Sequence, residues 1–323
     1  RKRGADMVGE AGAATSAAAL VDFNEMPKVN RFYGGNAGRK ICIEYLGAPW
    51  MLKYPASTAQ LAGRVASYTS SPVSEYIGSH VYGLLGIPVH DTVLGFRDGK
   101  VVACRDFTYP DKTLLEFRML RNSISDDSAS FSNRPSDGSN VTLSDVLESI
   151  SQLDDVYDSE KVRERFWDMF VTDAFIGNKD RNNGNWGLLA RNGAIEGLAP
   201  VYDNGNCLFN KHTPTLNAER LADSALLAQD AIGTLTSVYT ADDGRHIKPL
   251  DYIAEGLDSA CNAAVARFAA RLDPEEVFAF VDSVPCTALN LTVLPPETKE
   301  HMKAVFEERW EKCLRPAAER VRG

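Results

Sequence analysis

Between Val29 and Phe107, apolar residues come in short runs that alternate with polar ones, a spacing that predicts strands. Lys40-Ile41-Cys42-Ile43-Glu44-Tyr45 alternates, Pro49 to Tyr54 follows a Gly47-Ala48 turn, and residues 91–94 and 100–104 supply two more runs. One helix interrupts them. Ser74 stands where an N-cap is expected, and Ile77, Val81, Leu84 and Leu85 trace an apolar face that stops at Gly86 and Pro88. Further along, the period lengthens to that of helices, first at 114–120, then at 143–153, 160–176, 216–227, 249–272, 274–284 and 297–314. No segment repeats. The pattern predicts an α+β chain with a strand-rich N-terminal lobe and a mainly helical C-terminal lobe, divided at about residue 108.

Two stretches stand outside this pattern. Residues 122–140 are dominated by Ser, Asp and Asn and read as a mobile loop, with hydroxyls at Ser123, Ser125, Ser128, Ser130, Ser132, Ser136 and Ser139. Arg1-Lys2-Arg3 followed by an alanine-rich segment imitates an export signal. However, Asp6 and Glu10 precede its apolar part, which is mainly Ala, so export by this segment is not expected. The organisation expected is a flexible arm at 1–25, an N-lobe at 26–108 and a C-lobe at 109–323, in a cytoplasmic protein.

Composition narrows the function classes. The chain has 323 residues, 44% hydrophobic and 24% charged, enough for two lobes with real cores. Its net charge of −9 argues against a general nucleic-acid surface. No apolar run is long enough for a membrane span. The six cysteines form no C-x-x-C pair and the five histidines no H-x-x-x-H pair, so a zinc hydrolase has little support.

The chemistry concentrates in Gly177-Asn178-Lys179-Asp180-Arg181-Asn182-Asn183-Gly184-Asn185 and in Val201-Tyr202-Asp203-Asn204-Gly205. An aspartate, an asparagine five residues on, and a second aspartate on a D-x-G turn form the polar set that phosphoryl transfer from ATP requires. In that scheme Asp180 orients the attacking hydroxyl, while Asn185 and Asp203 hold Mg2+ on the phosphates. Phe166, Trp167, Phe170, Ala174 and Phe175 recur at helical spacing before the loop, and 186–189 reads as a strand after it. The N-lobe offers a nucleotide side. Gly34, Gly35 and Gly38 make a turn whose N–H groups can approach a phosphate, though no Walker A sequence is present. Lys53 lies in an otherwise apolar strand, and Glu75 in the first turn of the single N-lobe helix can steer it. Each feature has a plain reading: an outward strand lysine, a glutamate favoured at a helix start, a polar turn, an Asx-turn. Their order along one chain favours the chemical reading.

Ile176 to Gly187 resembles the catalytic loop of the HipA-like serine/threonine kinases, the compact bacterial CtkA-type members above all. The resemblance extends through Gly34-Gly35, Met51-Leu52-Lys53, Ser74-Glu75-Tyr76, Val102 to Thr108, Phe166 to Phe170 and Tyr202 to Gly205. It implies a bilobal protein-kinase-like fold with ATP in the cleft, Asp180 as catalytic aspartate, Asn185 and Asp203 as magnesium ligands and Lys53 as the phosphate-binding lysine. It also implies a hinge at 102–108, where backbone groups of Arg105, Asp106 and Phe107 pair with adenine; at such a hinge, loss of the Asp106 carboxylate is expected to weaken ATP binding much less than loss of the Lys53 ammonium. The implied partners are ATP and a protein with a Ser/Thr acceptor; the serine-rich loop, whose unstructured hydroxyls can reach a cleft, adds an expectation of slow autophosphorylation, against the plain reading of a solvated linker never modified. Family members often carry His two residues after the catalytic aspartate, where this chain has Asn182. The additional N-terminal subdomain of full-length HipA toxins has no counterpart in the resemblance, which leaves a HipB-like antitoxin partner open. The competing readings are a nucleotide-binding pseudokinase and a kinase for a small molecule or lipid.

Overall fold

The computed structural model describes residues 20–33, 39–55, 71–124 and 141–322. The glycine-rich turn with Gly34, Gly35 and Gly38 lies outside the described residues, as do residues 1–19 of the expected arm, Ser125, Ser128, Ser130, Ser132, Ser136 and Ser139, and the side chain of Ser123, whose backbone belongs to a helix.

The N-lobe is a six-stranded sheet built from β1 (Val21–Asp22), β2 (Lys28–Val29), β3 (Lys40–Tyr45), β4 (Ala48–Lys53), β5 (Thr92–Phe96) and β6 (Lys100–Arg105), in the order β1-β5-β6-β4-β3-β2. Only the β1–β5 pair is parallel among the described strands. Helix α1 (Pro72–Leu84) covers one face. Alternation then decides which side chains meet it. Trp50, Leu52, Val101 and Ala103 form an outer core with Phe23 and Ile43, whereas Val102 and Cys104 join the core under α1. Phe23 is fully buried there, so β1 and Phe23 pack with the sheet, where the sequence predicts an arm. A two-residue strand beside a buried aromatic is too short for periodicity to reveal.

Helix α1 starts earlier than its sequence suggests. Ser71 is the N-cap, its side chain accepting from the Ser74 N–H, and Pro72 opens the helix, so Ser74 sits inside the first turn.

After the hinge come β7 (Thr113–Glu116) and α2 (Phe117–Ile124), where the sequence predicted one helix over 114–120. Leu114 and Leu115 pair with Leu189 and Leu188 of β8 (Gly187–Arg191), and this cross-strand pairing overrides helical spacing. β9 (Ala194–Leu198) completes a three-stranded sheet.

Helices α3 (Leu143–Ser151) and α4 (Ser159–Ile176) begin the helical lobe. α5 (Pro214–Ala222) and α6 (Ser224–Ala228) are separated at Asp223, which caps the second, and α6 runs on into a π-helical turn at Gln229–Gly233. The single helix expected over 249–272 is two, α7 (Pro249–Glu255) and α8 (Ser259–Arg271), divided by Gly256 in the left-handed region and restarted by the Asp258 cap. α9 (Pro274–Ser283), the short β10 (Thr287–Ala288) and β11 (Leu291–Thr292), α10 (Pro296–Arg309), a π-helical Trp310–Leu314 and α11 (Arg315–Arg322) finish the chain. One core runs from α1 through α4 to α10, with Trp167, Phe175 and Phe306 nearly inaccessible. Among the described residues no helix is long and apolar enough to cross a membrane.

Candidate active site

Lys53 points inward, 7% exposed, because strand alternation puts it on the α1 face of β4. Its ammonium lies 2.8 Å from Glu75 Oε2 and 2.8 Å from Asp203 Oδ1. Burial alone would lower its pKa, but Asp203 and Glu75 hold it well above the usual lysine range. Glu75 is fully buried on α1. Burial alone would raise its pKa, but Lys53 and His90 hold it well below the usual carboxylate range. Its other oxygen accepts from the Asn204 N–H at 3.0 Å and lies 3.0 Å from His90 Nε2.

Helix α4 delivers the polar loop. It ends at Gly177 with φ of 71°, where a Cβ would meet Arg309 Nη1 at 2.8 Å, so glycine is required twice over. The Asn178 side chain then accepts from the Asp180 N–H at 3.0 Å, and Asn182 Nδ2 donates to Asp180 Oδ1 at 3.0 Å. Asn182 Oδ1 in turn accepts from the Gly184 N–H at 2.8 Å. Asn182 therefore holds the carboxylate from within the loop. Asn185 Nδ2 donates to the Asp180 carbonyl at 2.7 Å, which orients the amide and leaves its Oδ1 with no partner among the described residues.

Asp203 adopts φ of 58°, uncommon for a non-glycine residue, and its side chain is 37% exposed. Oδ2 has no partner among the described residues, while Oδ1 takes Lys53. The turn is pinned from below. α1 comes so close that a Cβ on Gly78 would meet Asn204 Cβ at 3.1 Å, and Asn204 Nδ2 donates to Ser79 Oγ at 3.0 Å. Val201 pairs with Val89, joining the segment before Asp203 to the end of the N-lobe helix region.

Arg181 ties the loop to this turn. It is 5% exposed and donates to both Asp173 oxygens, Nε to Oδ2 at 2.8 Å and Nη2 to Oδ1 at 3.1 Å. Nη1 reaches the carbonyl of Asn185 at 2.9 Å and that of Tyr202, and Nη2 the Asn204 side chain. Asp173 also accepts from Tyr82 at 2.7 Å and from Asn178 at 3.1 Å. Burial opposes the guanidinium charge, yet Asp173 keeps its pKa well above the ordinary value. Arg181, Asp173, Asn204 and His90 were missed by sequence reasoning. One signal was present: Asp173 is a carboxylate among Val171, Ala174, Phe175 and Ile176, and such a residue needs a buried partner.

The segment expected to form the hinge is held by side-chain contacts as well as backbone ones. The Asp106 carboxylate is 3% exposed and accepts from Arg31 Nε at 2.6 Å, Tyr33 at 3.0 Å and the Thr108 N–H at 2.9 Å. The carboxylate shapes the turn. The N–H of Arg105 is spent on the Asp91 carbonyl and that of Asp106 on the Pro49 carbonyl, and the Arg105 side chain turns outward to Asp91. Phe107 keeps a backbone N–H with no partner among the described residues, and its ring stands 5.5 Å from that of Tyr202, next to Asp203.

Lys53, Glu75 and Asp203 thus meet between a strand-rich lobe and a helical one, and Arg181 ties the loop of Asp180 and Asn185 to the Asp203 turn, a bilobal arrangement like that of protein kinases. No family model matches the chain. It is a homologue of the serine/threonine-protein kinase CtkA of Helicobacter pylori, 29% identical over 284 residues that span 87% of this chain and 82% of that protein. The crystal structure of a Helicobacter pylori proinflammatory kinase CtkA matches with a TM-score of 0.80 and 26% identity, covering 94% of this chain and 98% of that one. The HipA of Shewanella oneidensis, solved with HipB and operator DNA, gives a TM-score of 0.49 at 13% identity, covering 96% and 69%, too slight a likeness to carry function.

Proposed function

We propose that this protein is an ATP- and magnesium-dependent serine/threonine protein kinase that transfers the γ-phosphate to a protein hydroxyl and also to its own serines. The observation that carries the reading is the Lys53 ammonium clamped at 2.8 Å by both Glu75 and Asp203, one from each lobe. Such a lysine stays charged and fixed, ready for α- and β-phosphates. The donor set fits a hard divalent cation, since Asp203 Oδ2 and Asn185 Oδ1 are oxygen ligands that no described residue occupies. Magnesium, when bound, supplies the positive charge that offsets the phosphates.

Asp180 accepts the acceptor's hydrogen bond and points its oxygen at phosphorus, with Asn182 fixing the carboxylate rotamer. Arg181 keeps this loop and the Asp203 turn at constant separation through shared carbonyl contacts. The Phe107 N–H serves the adenine edge, and the Phe107 and Tyr202 rings give it an apolar wall. A pseudokinase has no chemical need for all four of Lys53, Asp180, Asn185 and Asp203. Incubation with labelled ATP, Mg2+ and generic protein substrates tests the reading. Magnesium-dependent label in protein, lost in Asp180→Asn, supports it; tight ATP binding with no transfer overturns it in favour of the pseudokinase.

A further inference from the structure

Beside Asp180 a cleft of about 510 Å³ opens onto the helical lobe, and the charge on its wall is lopsided. Lys179, Lys211 and Arg309 line it with His212 and His246, whereas Asp180 is the one carboxylate among its described lining residues. In a chain of net charge −9 this is a local reversal of sign.

Arg309 is the most telling member. It is 1% exposed, and no carboxylate among the described residues pairs with it. Nε donates to the Ala231 carbonyl at 2.7 Å and Nη1 to the Phe175 carbonyl at 2.8 Å, which uses two of its five N–H groups. The guanidinium also lies 5.7 Å from the Phe209 ring centroid. Burial lowers its pKa to about 10, so it remains charged near neutral pH. Lys179 sits in the same field. Its ammonium donates to the Thr234 carbonyl at 3.1 Å, and burial, then Arg309 and Lys211, lower its pKa. Asp230, the carboxylate whose field reaches both Lys179 and Arg309, is already engaged by His301 at 3.0 Å and Arg220 at 3.7 Å. A buried cation without a counterion is costly unless an anion arrives.

We propose that this cleft receives an anionic side chain, carboxylate or phosphate, of the protein segment that presents its hydroxyl to Asp180. The kinase reading identifies that segment as the substrate; the demand for an anion rests on Arg309 and Lys179.

Fluorescein-labelled serine peptides, flanked by glutamates, by phosphoserine, by uncharged residues or by lysines, are titrated with the full chain in the absence of nucleotide. The anionic peptides are expected to bind roughly tenfold tighter or more than the uncharged one, with the advantage shrinking as salt rises. Arg309 supports two backbone carbonyls and its loss risks the fold, so the charge test uses Lys211→Glu and Lys179→Glu, which should weaken the anionic peptides and strengthen the lysine peptide. Preference for phosphoserine over glutamate identifies phosphate as the source, and the reverse identifies carboxylate. Equal affinity for anionic and uncharged peptides, an unchanged ranking in Lys211→Glu, or displacement of the anionic peptides by free ATP overturns the proposal. Preserved anion preference without phosphoryl transfer would instead remove the kinase reading and leave this one standing.

Discussion

Asn182 Nδ2 donates to Asp180 Oδ1 at 3.0 Å, so a neighbour in the same loop grips the carboxylate proposed for catalysis. Its own Oδ1 is engaged by the Gly184 N–H at 2.8 Å, which leaves the amide no freedom to rotate away. Removing that grip should loosen the carboxylate without touching the nucleotide side. Asn182→Ala is expected to lower kcat by roughly three- to tenfold with little change in the affinity for ATP. Steady-state kinetics beside calorimetry check this, and an unchanged kcat would show that the contact is idle.

The two aspartates should separate cleanly. Asp180→Asn is expected to keep ATP affinity within a few-fold while turnover falls by roughly a hundredfold or more. Asp203→Ala removes an oxygen ligand and the Lys53 partner at 2.8 Å together, so Mg-ATP binding and transfer should both fail. Parental turnover in Asp180→Asn would end its catalytic assignment.

Arg181 and Asp173 form a buried pair at 2.8 Å with 6% and 7% of their side chains exposed. Replacing Arg181 by Met leaves Asp173 without its cation and is expected to cost about 3–5 kcal/mol in a urea unfolding curve. Activity should fall with it, because the same guanidinium spaces Asn185 from Tyr202.

The Lys53–Glu75 pair gives a pH dependence of definite sign. Glu75 titrates well below its unfolded value, so its contribution is complete above that value and is lost as pH falls through the folded one. Lys53 titrates well above its unfolded value, so its contribution is complete below that value and is lost as pH rises through the folded one. Stability from this pair should therefore be flat from about pH 5 to 9 and decline on both sides. Thermal melts carried below that range should show a shallower acid limb in Glu75→Gln than in the parent; identical limbs would mean that Glu75 is not the group responsible.

At the hinge, Asp106→Ala strips the partner from Arg31, Tyr33 and the Thr108 N–H. A loss of about 1–3 kcal/mol in stability is expected, together with weaker ATP binding. Calorimetric affinity equal to the parent's would show that the turn keeps its shape without the carboxylate.

Sequence by itself determined that strands come first and helices after, together with most of those elements, because periods of two and 3.6 are local; from the atoms that phosphate and magnesium demand it also named the charged groups proposed for the site. Local pattern also named Glu75 as the partner of Lys53, since an acid in the first turn of the single N-lobe helix is distinctive. Tertiary structure alone decided the rest. Leu114 and Leu115 fit a helix or a strand equally well until β8 offers its edge. Phe23 looked like part of an arm until a sheet face covered it. Asp106 read as a bystander because its partners, Arg31 and Tyr33, lie more than seventy residues away in sequence. Arg181 was hidden for the same reason: its partners come from a helix, the loop itself and a turn past an intervening hairpin, and only the folded chain brings them within hydrogen-bond reach.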